Sequence, residues 1–157
     1  MKSKKGFTQD RFTQGLIAGM IGWIPEIIFT WIMFGLHVGK FKYSDIAGVL
    51  AWGSRPQGLL EELFAEFIMF SLLATMAGVF AMLLKVISDD SILIKGAIFG
   101  GATWFLIYTA INLFKVTGIF GKVNFGTAVS NMLGAVIWGL VTAWMLSILN
   151  RKFGVNN

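Results

Sequence analysis

The chain has 157 residues, 56% of them hydrophobic and 13% charged, with a net charge of +5, a pI near 9.7 and a mean hydropathy of +0.75. A soluble domain carries about 25% charged residues and hides only about 70% of its surface at this size, so the composition excludes one and makes the lipid bilayer the expected partner. The Lys and Arg residues fall between apolar runs, which suits membrane topology and argues against nucleic acid; with no cysteine and one histidine, disulfides, thiolate metal sites and a bis-histidine haem are excluded, and neither metal nor cofactor is expected.

The first apolar run, Gln14 to Val38, contains Pro25 and Glu26 and predicts a helix over about 14–38. It is too long for the core of a cleaved signal peptide and lacks a small-x-small cleavage site, so it reads as an uncleaved first span. The 39–58 connection holds a half-apolar stretch from Tyr43 to Gly53, followed by Pro56. That length predicts a short interfacial helix over about 43–54, lying on the membrane surface with Trp52 at headgroup depth.

The second run, Phe67 to Leu84, carries no charge and has the more polar Leu59 to Glu66 as a lead-in, which predicts a helix over about 59–87. The third, Gly96 to Phe114, is fenced by Lys95 and Lys115 and predicts one over about 93–114; the fourth predicts one over about 127–149. Each run approaches the roughly 20 residues that cross about 30 Å of hydrocarbon, and none alternates as a barrel strand would. The expected fold is therefore all-α: a polytopic membrane protein of four transmembrane helices in an antiparallel bundle.

Lys2, Lys4, Lys5, Arg11, Lys85, Lys95, Arg151 and Lys152 fall on one side of that bundle, against Lys40, Lys42, Arg55, Lys115 and Lys122 on the other. The larger group marks the cytoplasmic face, so both termini are expected in the cytoplasm. Gly15, Gly19 and Trp23 of the first span recur as Gly96, Gly100 and Trp104 of the third, at an offset of 81. This spacing suggests two hairpin repeats related by an axis along the membrane normal.

Gly15/Gly19 and Gly96/Gly100 are GxxxG pairs, and Ala74/Gly78, Ser130/Gly134 and Ala135/Gly139 are small-xxx-small pairs. Such faces let helix backbones approach closely, either within one chain or across a homo-oligomer or partner membrane protein. Glu26, near mid-membrane behind Pro25, is the sharpest candidate site. A charge at that depth costs roughly 3 kcal/mol, so the side chain should face protein or water, as a proton or cation site or as a bonded structural group. Glu61, Glu62 and Glu66 open the second span, where they suit the helix dipole; Glu66 is also placed to meet Glu26, and Arg55 to neutralise Glu66 or Glu62. Asn112 and Asn131 are candidates for hydrogen bonds between helices, and His37 for an ordinary interfacial position.

No paired-histidine zinc motif, nucleophile elbow, phosphate loop or dinucleotide fingerprint occurs. The reading leans to a non-enzymatic oligomeric scaffold or membrane-assembly subunit. A small proton- or cation-linked transporter or channel using Glu26 comes second, and a lipid-modifying enzyme built on Glu61, Glu62, Glu66 and Arg55 third. Asp45-Ile46-Ala47-Gly48, Lys95-Gly96-Ala97-Ile98-Phe99-Gly100 with Trp104, Phe105 and Tyr108, and Thr127 with Ser130-Asn131 resemble a group of small, uncharacterised four-helix membrane proteins from Gram-positive bacteria. The resemblance implies a bacterial cytoplasmic membrane and carries no activity, ligand or catalytic residue with it.

Overall fold

A computed structural model describes residues 10–87, 90–114 and 123–153. Lys2, Lys4, Lys5, Lys115 and Lys122, used above for orientation, lie outside these. The described helices are α1 (Arg11–Gly35), α2 (Tyr43–Trp52), α3 (Leu59–Ile87), α4 (Ile92–Leu113) and α5 (Phe125–Phe153). All but α2 are long and apolar enough to cross a membrane. At 1.5 Å per residue α3 and α5 are about 43 Å long, enough to span the hydrocarbon with a tilt or an overhang.

Local chemistry sets the ends. α1 begins earlier than its apolar run because the Asp10 carboxylate accepts the Thr13 N–H at 2.9 Å, satisfying a donor the helix leaves unpaired. It stops at Gly35 because His37 takes a left-handed conformation, φ +60°, and the Val38 and Gly39 amides fold back on the Met33 carbonyl. α2 opens with the Asp45 carboxylate accepting the Lys42 N–H at 2.7 Å and closes on Gly53 at φ +84°. α5 runs past the apolar stretch to Arg151 and Lys152, whose charges complement the helix C-terminus.

Around the bundle the order is α3, α1, α5, α4, each helix antiparallel to its neighbour, while α3 and α4 touch little. Small residues decide this, because lipid supplies no hydrophobic force between helices and close backbone contact must hold them. Gly15 lies against Ala77 and Gly78, where a Cβ would come within 2.5 Å of the Ala77 carbonyl oxygen, and Gly19 against Ala74 and Ala77. In the second hairpin Gly96 lies against Gly139 and Ala143, and Gly100 against the Ala135 backbone. The glycines related by the offset of 81 thus occupy corresponding seams of two hairpins. Gly22, not among the pairs named from sequence, joins the hairpins by packing on Trp138 and Thr142, and the fully buried Trp138 donates its Nε1–H to the Gly19 carbonyl at 3.3 Å. These small residues are turned toward α1 and α5, and α3 and α4 stay apart along most of their length.

The gap between α3 and α4 is filled, at the end remote from the termini (the distal end), by α2. The short helix forms where the sequence predicts, but it does not lie flat on the surface: Phe41 through Val49 are all buried. Phe41, Tyr43, Ile46, Ala47 and Val49 form one core with Ala65 and Met69 of α3 and Tyr108 and Ile111 of α4. Trp52 is half-buried and stacks on Phe64 with ring centroids 6.1 Å apart.

Candidate functional site: a polar cluster beneath the short helix

Pro25 has no N–H to give the Ile21 carbonyl, loosening α1 one residue before Glu26. Glu26 is 4% exposed and points into the bundle. Its Oε1 accepts the Thr30 hydroxyl, one turn on, at 2.9 Å. Gly134 of α5 makes the room: a Cβ there would sit 3.4 Å from the same oxygen and 3.2 Å from Thr30 Oγ1. Glu66, half-buried on α3, accepts the Trp31 Nε1–H at 3.3 Å, and its charge repels that of Glu26 across the α1–α3 interface. The two acids that depth alone paired are therefore near one another.

Above them the start of α2 is held by ions. Lys42 Nζ lies 2.6 Å from Glu62 Oε1, which also accepts the Ser44 hydroxyl at 2.6 Å. The same ammonium stands 3.6 Å from the centroid of the Trp31 ring, near the range where a cation gains from the aromatic face. Trp31 thus joins the two layers: its N–H serves Glu66 and its face serves Lys42. Asp45, largely buried, has its pKa raised by desolvation, with the Lys42 N–H and charge pulling the other way. Glu61 accepts the Gln57 N–H at 2.7 Å and belongs to the entry of α3 rather than to the cluster.

On the α4–α5 side the Tyr43 hydroxyl donates to the Asn131 carbonyl at 2.9 Å, and Asn131 Nδ2 donates to the Tyr108 hydroxyl at 3.0 Å. Burial pushes the Tyr43 hydroxyl pKa well above its ordinary value, and the charges of Glu26 and then Tyr108 add to the shift. The Lys40 N–H donates to Thr127 Oγ1 at 2.8 Å, and the Thr127 hydroxyl in turn donates to Asn124.

Of the residues singled out by sequence, Glu26, Glu66, Asn131 and Gly134 come together here, while Gly15, Gly19, Gly96 and Gly100 lie in the seams. Asn131 does bond between helices. Asn112, expected to do the same, is exposed and turns its amide back to the Tyr108 carbonyl of its own helix at 2.9 Å, because α4 places it on the outer face. Lys42, which the sequence did not single out, pairs with Glu62, and Arg55 acts electrostatically on Asp45. His37 lines a distal cavity of about 340 Å³ with Phe34, Gly39 and Lys40. Sequence reasoning missed Lys42, Tyr43, Ser44 and Thr30 as members. Thr30 was legible as the fourth residue after Glu26, but the others arrive only when α2 folds inward.

Chemically the cluster has two parts: Glu26 and Glu66, whose charges repel each other, and a buried Lys–Glu pair that ties α2 to α3. Among the described residues no group of three or more His, Cys, Asp or Glu is arranged to hold a metal. No family model, no curated protein and no solved structure matches the chain, which is an all-α protein with four helices able to cross a membrane.

Proposed function

We propose that this protein is a non-enzymatic scaffold, a multi-pass subunit of a bacterial cytoplasmic membrane assembly with both termini in the cytoplasm. The observation that carries the reading is the seal on Glu26: its carboxyl is bonded to Thr30 and packed against Gly134 in the bundle interior. Its neighbours are likewise engaged, Lys42 with Glu62 and Trp31, and Tyr43 with Asn131. Polar groups spent on one another in lipid hold the bundle in a single shape. The outward faces, such as Ile24, Ile28 and Ile32 of α1 and Phe105 and Leu106 of α4, are left to meet lipid or another membrane protein. The GxxxG pairs are already used inside the chain, so a partner would meet these larger side chains.

A second reading, proton- or cation-linked transport, draws on the mutual repulsion of Glu26 and Glu66 beneath a short helix whose following loop turns at Gly53 and Gly58, both at positive φ. Infrared difference spectra of the protein in lipid, with Glu26→Gln to identify the band, separate the two. The scaffold reading expects the Glu26 band to stay unchanged across the neutral pH range. A band that titrates there means a solvent-connected carboxyl and favours transport, and proton flux into vesicles that is lost in both Glu26→Gln and Glu66→Gln would establish it.

A further inference from the structure

The splay of α3 and α4 that admits α2 at the distal end leaves a second gap at the other end, where α3 finishes and α4 begins. It is a groove of about 220 Å³, lined by Phe80, Leu83, Leu84 and Ile87 of α3 and by Ile98, Phe99 and Ala102 of α4, with Lys95 the charged residue among the described residues that line it. Phe80 and Leu84 form a buried floor, and the rings of Phe80 and Phe99 lie 4.9 Å apart. The rims, Leu83, Ile87 and Ile98, are exposed, so the groove opens outward to the bilayer. Lys95 lies in the first turn of α4, and Ala102 lies two turns deeper, about 10 Å along the helix axis.

Two occupants compete for an apolar groove in a membrane, a partner helix and a lipid chain. The apolar floor runs inward from a cation at the helix end, the same division of polar and apolar chemistry that an anionic lipid carries along its length. Left empty, the lining would lose its dispersion contacts on one side. Depth and charge then fix the orientation of a lipid: the chain runs inward along the floor, and the headgroup stays at the helix end beside Lys95.

We propose that the α3–α4 groove is a binding site for one anionic glycerophospholipid, its acyl chain along Phe80, Leu84 and Phe99 and its phosphate at Lys95. Occupied, it completes the wall that the helices leave open and couples the bundle to the anionic lipid of the leaflet at that end.

The test is native mass spectrometry of the full chain in detergent, titrated with phosphatidylglycerol or with phosphatidylcholine of the same chains. One phosphatidylglycerol per chain is expected at concentrations where phosphatidylcholine is not retained. Lys95→Gln should lower its retention by about fivefold, the effect of one lysine on an anionic headgroup, and erase the headgroup preference. Ala102→Trp, which fills the groove, should lower retention of both lipids, while Leu106→Trp, one turn on, should leave it unchanged. Equal retention of the two lipids by the parent protein, or full retention by Ala102→Trp, overturns the proposal. So does a dimer of the parent chain that Ala102→Trp dissolves, since the occupant would then be a second copy. Should Ala102→Trp fail to fold, Lys95→Gln decides alone through its headgroup preference.

Discussion

Lys42 shows how little a residue type says about its place. By sequence it is one of several basic residues in a loop; in the fold it is buried, paired with Glu62 and set over Trp31. Removing one partner of a buried pair leaves the other charge unpaired in a medium that solvates it poorly, at a cost of about 3–5 kcal/mol. Glu62→Ala should therefore lower the unfolding free energy by roughly 3 kcal/mol in denaturant titrations, and adding Lys42→Met should recover much of the loss. If the double variant is as unstable as the single one, the ion pair is not what anchors α2. Asp45 gives a pH test. Its folded pKa is raised, so its contribution to docking α2 is full below the ordinary aspartate range and is lost as pH rises through the raised value. Amide exchange of α2, corrected for intrinsic rates, should show better protection at mildly acid than at neutral pH. Asp45→Asn keeps an oxygen for the Lys42 N–H and should abolish that difference.

Among the helices, the seams are where one methyl group decides the outcome. Gly100 and Gly101 are adjacent in α4, yet a Cβ at Gly100 would strike the Ala135 carbonyl while one at Gly101 meets nothing within 4 Å. A backbone carbonyl inside a helix cannot turn aside as a flexible side chain can. Gly100→Ala should destabilise the protein by about 3 kcal/mol, whereas Gly101→Ala should be neutral or stabilising by up to about 1 kcal/mol through helix propensity. Thermal melts of the pair in one detergent make the comparison, and equal melting temperatures would mean that α4 and α5 do not meet along this seam. The spacing of Gly96 and Gly100 was enough to predict a seam from sequence. It could not say which helix lay opposite, because a GxxxG face serves an internal neighbour and a second chain equally well.

For the whole molecule, the two hairpins lean on each other chiefly through α1 and α5, while α3 and α4 diverge and are bridged at the distal end by α2. This asymmetry gives the two ends different characters: a polar cluster under a buried short helix at one, an apolar groove with a lysine at the other. Their assignment to the two faces of the membrane is a separate property, proposed from the distribution of Lys and Arg. Alkaline phosphatase fused to the C-terminus should be inactive and a cytoplasmic reporter fused there active; the reverse pattern would invert the orientation and put the lysine end outside.

The class of this protein and its spans were legible from residues alone, because the demand that some 20 residues be apolar is local and cumulative and survives any arrangement of neighbours. So was the inward turn of Glu26, since the cost of a charge facing lipid tails does not depend on the details of packing. That the short helix is buried rather than surface-lying, that Asn112 faces outward and that Lys42 meets Glu62 emerge only from the folded bundle. Those outcomes hang on which helices can approach closely. That in turn hangs on backbone contacts between glycines and alanines far apart in the chain, and no local pattern of residues carries that information.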